Sequence, residues 1–169
     1  MGLEIKNKTT KHKGENVMKK MNNKGFSLVE LIVVVLIMAI IAVALAPQVM
    51  KWVENSRKST DCNNYDSVVS AINLAIADED VMKEVGTSTI TFNWPCTTGQ
   101  AWTFTDPGST QKLTNKLKEI LGTSWQQEIL LKRTSGFTDT NGSTVSNYVI
   151  TLSNGTVART TAPSSKDVS

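Results

Sequence analysis

The stretch that decides the fold lies near the N-terminus, where residues 24–47 read KGFSLVELIVVVLIMAIIAVALAP. From Phe26 to Ala46 this stretch carries a single charged side chain, Glu30. As an α-helix, Phe26–Ala46 would be about 32 Å long, which is enough to cross the roughly 30 Å hydrocarbon layer of a membrane. Lys-rich sequence precedes the apolar run, which predicts that residues 1–25 stay in the cytoplasm and that the rest of the chain is exported.

The distribution of charge is more informative than its sum. The 169 residues include 18 Lys and Arg against 15 Asp and Glu, a formal net charge of +3. Residues 1–25 hold seven Lys and two Glu, a balance of +5, whereas residues 26–169 hold 11 basic and 13 acidic side chains, a balance of −2. The basic character therefore belongs to the N-terminal segment, and a direct, strong nucleic-acid ligand is not indicated.

The residue types exclude most kinds of catalytic site. His12 is the one histidine in the sequence, so a Ser-His-Asp or Cys-His arrangement cannot form beyond residue 25. Two cysteines are too few for a Cys₄ metal site, and no GxxxxGK or GxGxxG phosphate loop occurs. The sequence therefore predicts no enzyme, no catalytic residue, no metal site and no cofactor.

Two general interpretations of the apolar run compete. It could be a secretory signal peptide cleaved after Ala46, because Ala44-Leu45-Ala46 resembles an A-x-A cleavage site. It could also be a permanent membrane anchor without processing, but that leaves Glu30 unexplained. A carboxylate at the centre of a membrane helix costs about 2.5–3.5 kcal/mol, somewhat less near an end, so such a residue is a functional candidate by default.

Lys24–Leu31, followed by the unbroken apolar run, resembles the class III signal of type IV prepilins and the related pseudopilins. The resemblance implies that an inner-membrane prepilin peptidase cuts after Gly25 and methylates the new amine of Phe26. It also implies that Glu30 is kept for filament assembly. Pro47 stands 21 residues after the new N-terminus, where helices of this family bend or locally melt.

Cleavage would leave a free amine at Phe26, one helical turn from the Glu30 carboxylate. In a bundle of such helices, Glu30 of one subunit could neutralise the amine of a neighbour, which would specify axial register. The resemblance further implies three partners: the prepilin peptidase, an assembly platform with its ATPase, and other pilin subunits. Met1, Met18 and Met21 all remain candidate start residues.

The remaining sequence predicts an α+β fold. One long helix, kinked at Pro47, is expected to contain a membrane-spanning half at 26–46 and a soluble half at 47–85. Its apolar stripe comprises Val53, Tyr65, Val68, Val69, Ile72 and Ile76. We place an α+β head at 86–160 and a flexible tail at 161–169, and the pilin resemblance implies a small antiparallel sheet in the head.

Within the head, alternation of apolar and polar residues predicts several strands, and one amphipathic stretch predicts a helix at 110–121. Asn154-Gly155 suits a two-residue hairpin turn. The predicted strands are Thr89–Trp94, a short one around Trp102 and Phe104, Trp125–Lys132, Asn147–Leu152 and Thr156–Arg159.

Cys62 and Cys96 are the two cysteines. Outside the membrane they could form a disulfide that ties the long helix to the sheet, and we predict that bond, with two separate thiols as the alternative.

The sequence therefore predicts a structural subunit of a type IV pilus-like filament. We expect the precursor to cross the cytoplasmic membrane once, in contact with lipid, and the mature chain to be part of an extracellular filament. A pseudopilin of a type II secretion or DNA-uptake apparatus is an alternative, because it would share residues 24–47. A secreted binding protein cleaved after Ala46 is the alternative from another class.

Overall fold

The computed structural model describes residues 27–164, which form an α+β arrangement with one long helix and a three-stranded sheet. The elements in chain order are α1 (Leu28–Ile76), α2 (Glu79–Val85), β1 (Ile90–Pro95), α3 (Lys112–Leu121), α4 (Trp125–Glu128), β2 (Asn147–Ser153) and β3 (Thr156–Thr161). The chain divides after Ala42 into two units, the second of which contains the head. The predicted fold class is confirmed.

The first unit consists, among its described residues, of the N-terminal part of α1. Every residue from Leu28 to Ala42 is exposed, although almost all are apolar. The helix forms because no Gly or Pro lies between Leu28 and Ala46 and because its first turn is capped. Pro47 itself lies inside α1, where it lacks the N–H that would otherwise bond to the preceding turn. The predicted kink at Pro47 stays a prediction.

In the second unit, the C-terminal half of α1 packs against the sheet. Its buried residues recur every three or four positions, as a helix that covers a core requires. They are Lys58, Asp61, Tyr65, Val68, Val69, Ala71, Ile72 and Ala75. One expectation about this face is wrong: Val53, predicted to belong to the apolar stripe, is 45% exposed. The charged residue Asp61, in contrast, is fully buried.

The sheet has the order β1-β2-β3, and both pairs are antiparallel. Alternate residues of β1 and β2 are buried, for example Phe92 opposite Ile150, so the sheet places one face on the core. Asn154 and Gly155 join β2 to β3 with φ angles of 49° and 69°, the positive values that a type I′ turn requires. The predicted hairpin is confirmed, as are β1 and the helix in 110–121.

The long helix ends earlier than predicted. We expected it to continue to residue 85, but α1 ends at Ile76 and the separate helix α2 begins at Glu79. Asp78 is extended, with ψ of 122°, and its side chain accepts the N–H of Asp80 at 3.0 Å. A new N-cap at Asp78 is therefore the physical reason for the break.

The predicted strand Trp125–Lys132 is wrong. Its first residues form the short helix α4, and the residues after it are irregular. The backbone N–H groups of Lys132 and Arg133 donate to the carboxylate of Asp61, at 2.7 and 3.1 Å, rather than to a neighbouring strand. Trp102 and Phe104 likewise flank a single antiparallel bridge, Asn93 to Thr103, instead of lying in a strand.

Asp61 also forms an ion pair with Arg133, whose Nε lies 3.0 Å from Asp61 Oδ2, and both side chains are 0% exposed. The same guanidinium donates to the carbonyls of Gly136 and Ser164, at 3.3 and 3.2 Å. Its carbon also lies 5.6 Å from the centre of the Tyr148 ring. This cluster fixes the start of the segment that was predicted as a flexible tail, since Thr161 belongs to β3 and Ser164 is buried.

We expect Asp61→Asn to lower the free energy of unfolding by about 3–5 kcal/mol, because it leaves the buried Arg133 charge uncompensated. Asp66→Asn is the matched control, since Asp66 also lies on α1 and pairs with Arg159 at 2.8 Å, but with both side chains about half exposed. That change should cost about 1 kcal/mol or less. Urea unfolding of the detergent-solubilised protein measures both, and equal losses would contradict the assignment.

Candidate assembly site

The first turn of α1 is closed by a reciprocal pair of hydrogen bonds. The N–H of Ser27 donates to Glu30 Oε2 at 2.9 Å, and the N–H of Val29 donates to Ser27 Oγ at 3.4 Å. This is a capping-box arrangement, in which a Ser and a Glu three residues later satisfy the backbone donors of a helix start. Glu30 therefore has a structural role in starting the helix, which the sequence interpretation did not include.

The carboxylate of Glu30 lies where the partial positive charge of the helix N-terminus favours an anion. In the described chain it is the last charged side chain before Lys51. Gly25 and Phe26, the predicted cleavage and methylation residues, lie outside the described residues. The structure thus describes the predicted assembly residue Glu30, but not the bond that the peptidase would cut.

The surface that follows Glu30 is apolar and uncovered. Its large side chains from Leu31 to Leu45 are between 41% and 77% exposed. A monomeric soluble protein rarely exposes a contiguous apolar patch larger than a few hundred Å². Of the helices in residues 27–164, α1 is the one that is long and apolar enough to cross a membrane, with a mean hydropathy of 3.2 in its most apolar window. This surface therefore requires lipid or protein around it.

The predicted Cys62–Cys96 disulfide is not confirmed, since the structure contains both cysteines as free thiols. The Cys62 thiol instead faces the carbonyl of Pro163, at 3.5 Å. Both thiols are half-buried, and burial raises both pKa values, that of Cys96 to about 11, although the nearby Arg133 opposes the shift. In the structure, the contact between the helix and this part of the head includes the buried Asp61–Arg133 pair.

Two contacts between α1 and the loop at residues 134–135 were not predicted from the sequence. Glu54 Oε1 accepts the N–H of Thr134 at 3.1 Å, and Glu54 Oε2 accepts the Thr134 hydroxyl at 3.4 Å. Arg57 completes the cluster, with one guanidinium nitrogen 3.4 Å from Glu54 Oε2. Because 80 residues separate Glu54 from Thr134, no local sequence pattern could have indicated this contact.

A family model described as the prokaryotic N-terminal methylation motif matches residues 20–46 of this chain. No curated protein and no solved structure is significantly similar to the chain. The matched range contains Gly25, Phe26 and Glu30 together with the apolar run. The chain therefore carries a class III signal of the type IV prepilin kind, a signal of structural proteins rather than of enzymes.

We expect both thiols of the folded protein to react more slowly with iodoacetamide at pH 8 than they do after denaturation, and Cys96 at least about tenfold more slowly. The reactive form is the thiolate, and a raised pKa lowers the fraction of each thiol that is thiolate at that pH. Mass spectrometry of alkylated peptides measures both rates. A protein that takes up no label after denaturation without reductant, and two labels after reduction, would contradict the free thiols.

Proposed function

We propose that this chain, which carries a class III signal directly before an exposed apolar helix, is a structural subunit of a type IV pilus-like filament. Prepilin peptidase cuts the precursor after Gly25 and methylates Phe26, and the mature chain polymerises through α1. The observation that carries the proposal is the capped helix that starts at Leu28 and then exposes an uncharged apolar surface over residues 31–46.

Processing changes the charge of the molecule as well as its length. The segment that is removed carries seven Lys and two Glu, so the side chains of the mature protein sum to −2. The cluster of Lys is needed only while it holds residues 1–25 in the cytoplasm. The apparent basicity of the precursor is therefore a topology signal rather than a property of the mature subunit as a whole.

Assembly transfers the apolar surface of α1 from lipid to the helices of neighbouring subunits. The new amine of Phe26 precedes the Ser27 N–H that Glu30 already accepts. Glu30 is thus held at the helix start, where an amine of another subunit can approach it. In a filament interior, this pairing removes most of the cost of two buried charges.

The secreted alternative agrees less well with the structure. Release after Ala46 requires cleavage of the bond between Ala46 and Pro47, but that bond lies inside the continuous helix α1. A protease needs an extended substrate, so the helix would have to unwind there first. We therefore propose that the precursor lies in the cytoplasmic membrane, that an assembly platform and its ATPase are its partners, and that the mature chain belongs to the filament.

The N-terminus of the mature chain tests the processing step. We expect intact mass and N-terminal peptide analysis to find N-methylated Phe26. Gly25→Val should leave the precursor uncut in the membrane, because a side chain larger than that of Gly blocks the cleavage position. A mature chain that begins with Pro47 would contradict the proposal and support secretion.

Three substitutions separate the two roles of Glu30. Glu30→Ala should be processed and inserted, but its incorporation into filaments should fall at least about tenfold, because the pairing charge is lost. Glu30→Gln should fail similarly, although a Gln can still cap the helix start. Ser27→Ala removes the hydroxyl cap but keeps the charge, so it should assemble almost normally. Immunoblots of membrane and sheared-filament fractions measure all three.

Normal incorporation of Glu30→Gln would show that the charge of Glu30 is dispensable. In that case the capping bond, rather than a pairing between subunits, would be the reason for this residue.

A further inference from the structure

A groove of about 450 Å³ lies in the second unit, between α1 and the loop that follows Arg133. Its floor is formed by side chains of α1 and its far wall by two hydroxyl residues of the loop. The lining residues are Val49, Met50, Val53, Glu54, Arg57, Thr134 and Ser135.

The wall of this groove is attached firmly to α1. Glu54 accepts hydrogen bonds from both the N–H and the hydroxyl of Thr134. Its charge is also compensated by Arg57, at 3.4 Å. The charged groups of the groove are therefore paired with each other and do not require a charged ligand.

The floor of the groove is apolar and open. Val49, Met50 and Val53 are 46%, 74% and 45% exposed. This surface continues along the helix towards Leu45 and Val43, which are 46% and 77% exposed. The groove is therefore the end, on the head side, of the apolar surface of α1 rather than an isolated pocket.

Lipid does not account for this end of the surface. A hydrocarbon layer about 30 Å thick is spanned by about 20 residues, which Phe26–Ala46 already supply. Val53 follows Ala46 by seven positions, so it lies about 10 Å further along the helix axis. At that distance Val53 is beyond the hydrocarbon layer, so lipid tails cannot bury its side chain. Only another protein surface can remove it from water.

We propose that the groove receives the apolar segment 31–46 of a second copy of this chain. Residues 31–46 contain no charged side chain, which matches a groove whose own charges are internally paired. A charged segment would lose its hydration there without gaining a partner. The inference rests on the proposed assembly through α1 and names the surface on the head that takes part in it.

Photo-crosslinking tests the contact in the full-length protein in its own cells. A benzophenone amino acid replaces Val53, and after irradiation the crosslinked peptides are identified by mass spectrometry in both the membrane and the filament fractions. We expect crosslinks to residues 31–46 of another copy. Leu74 is the control position, because it is also apolar, 58% exposed and on α1, but it lines a different groove.

Crosslinks from position 53 that reach only lipid, or only head residues of another copy, would overturn the proposal. So would crosslinks to residues 31–46 that form equally well from position 74. If the wild-type chain forms no filament, the proposed function fails, but a crosslink from position 53 to residues 31–46 in the membrane fraction would still support the groove contact. A wild-type filament without that crosslink would leave the function intact and reject the groove.

A pair of substitutions gives an independent measurement. Val53→Glu places a charge on the groove floor and should reduce incorporation into filaments at least tenfold at an unchanged membrane level. Lys51→Glu changes charge on the same helical turn but outside the groove lining, and incorporation should change less than twofold. Equal incorporation of the two variants would contradict the proposal.

Discussion

Asp61 and Arg133 form an ion pair whose two side chains are fully buried, and the arrangement of the head depends on it. The Asp61 carboxylate also accepts two backbone N–H groups of the 132–133 segment, while the guanidinium reaches the carbonyls of Gly136 and Ser164. Three segments distant in sequence thus meet at one pair of charges. Burying two ions is costly unless hydrogen bonds compensate them, and here each guanidinium nitrogen donates one hydrogen bond and both carboxylate oxygens accept at least one.

This pair lies close to the point where the head begins to cover α1. Lys58 is the first buried residue of the helix, and the stretch from Leu28 to Val53 remains largely exposed. One helix therefore has two kinds of surface: its C-terminal half contributes to a core, whereas its N-terminal half is exposed in the part of the chain that the structure describes. Glu54, bound to Thr134, lies between these two regions and forms the wall of the groove.

The sequence patterns predicted those parts of the fold that depend on local interactions. The apolar run, β1, the Asn154-Gly155 hairpin and α3 follow from periodicity and turn chemistry. The patterns failed where a tertiary partner replaced a local one. Asp61 accepts the N–H groups of Lys132 and Arg133, where the strand predicted at 125–132 would have ended, and Asp78 caps a new helix. Glu30 was predicted through a resemblance, whereas the groove requires a contact across 80 residues.

The proposed assembly through α1 also needs a driving force, because lipid tails are about as apolar as the helices that would replace them. Two features of this chain favour protein over lipid. Glu30 is costly in hydrocarbon unless a positive charge approaches it, which a neighbouring amine can do and a lipid tail cannot. The groove floor lies beyond the hydrocarbon layer, so covering it with a second copy removes apolar surface from water, at about 25 cal/mol per Å². Both features act at the ends of the apolar segment, so they specify its register, whereas the uncharged middle supplies contact area without preference for position.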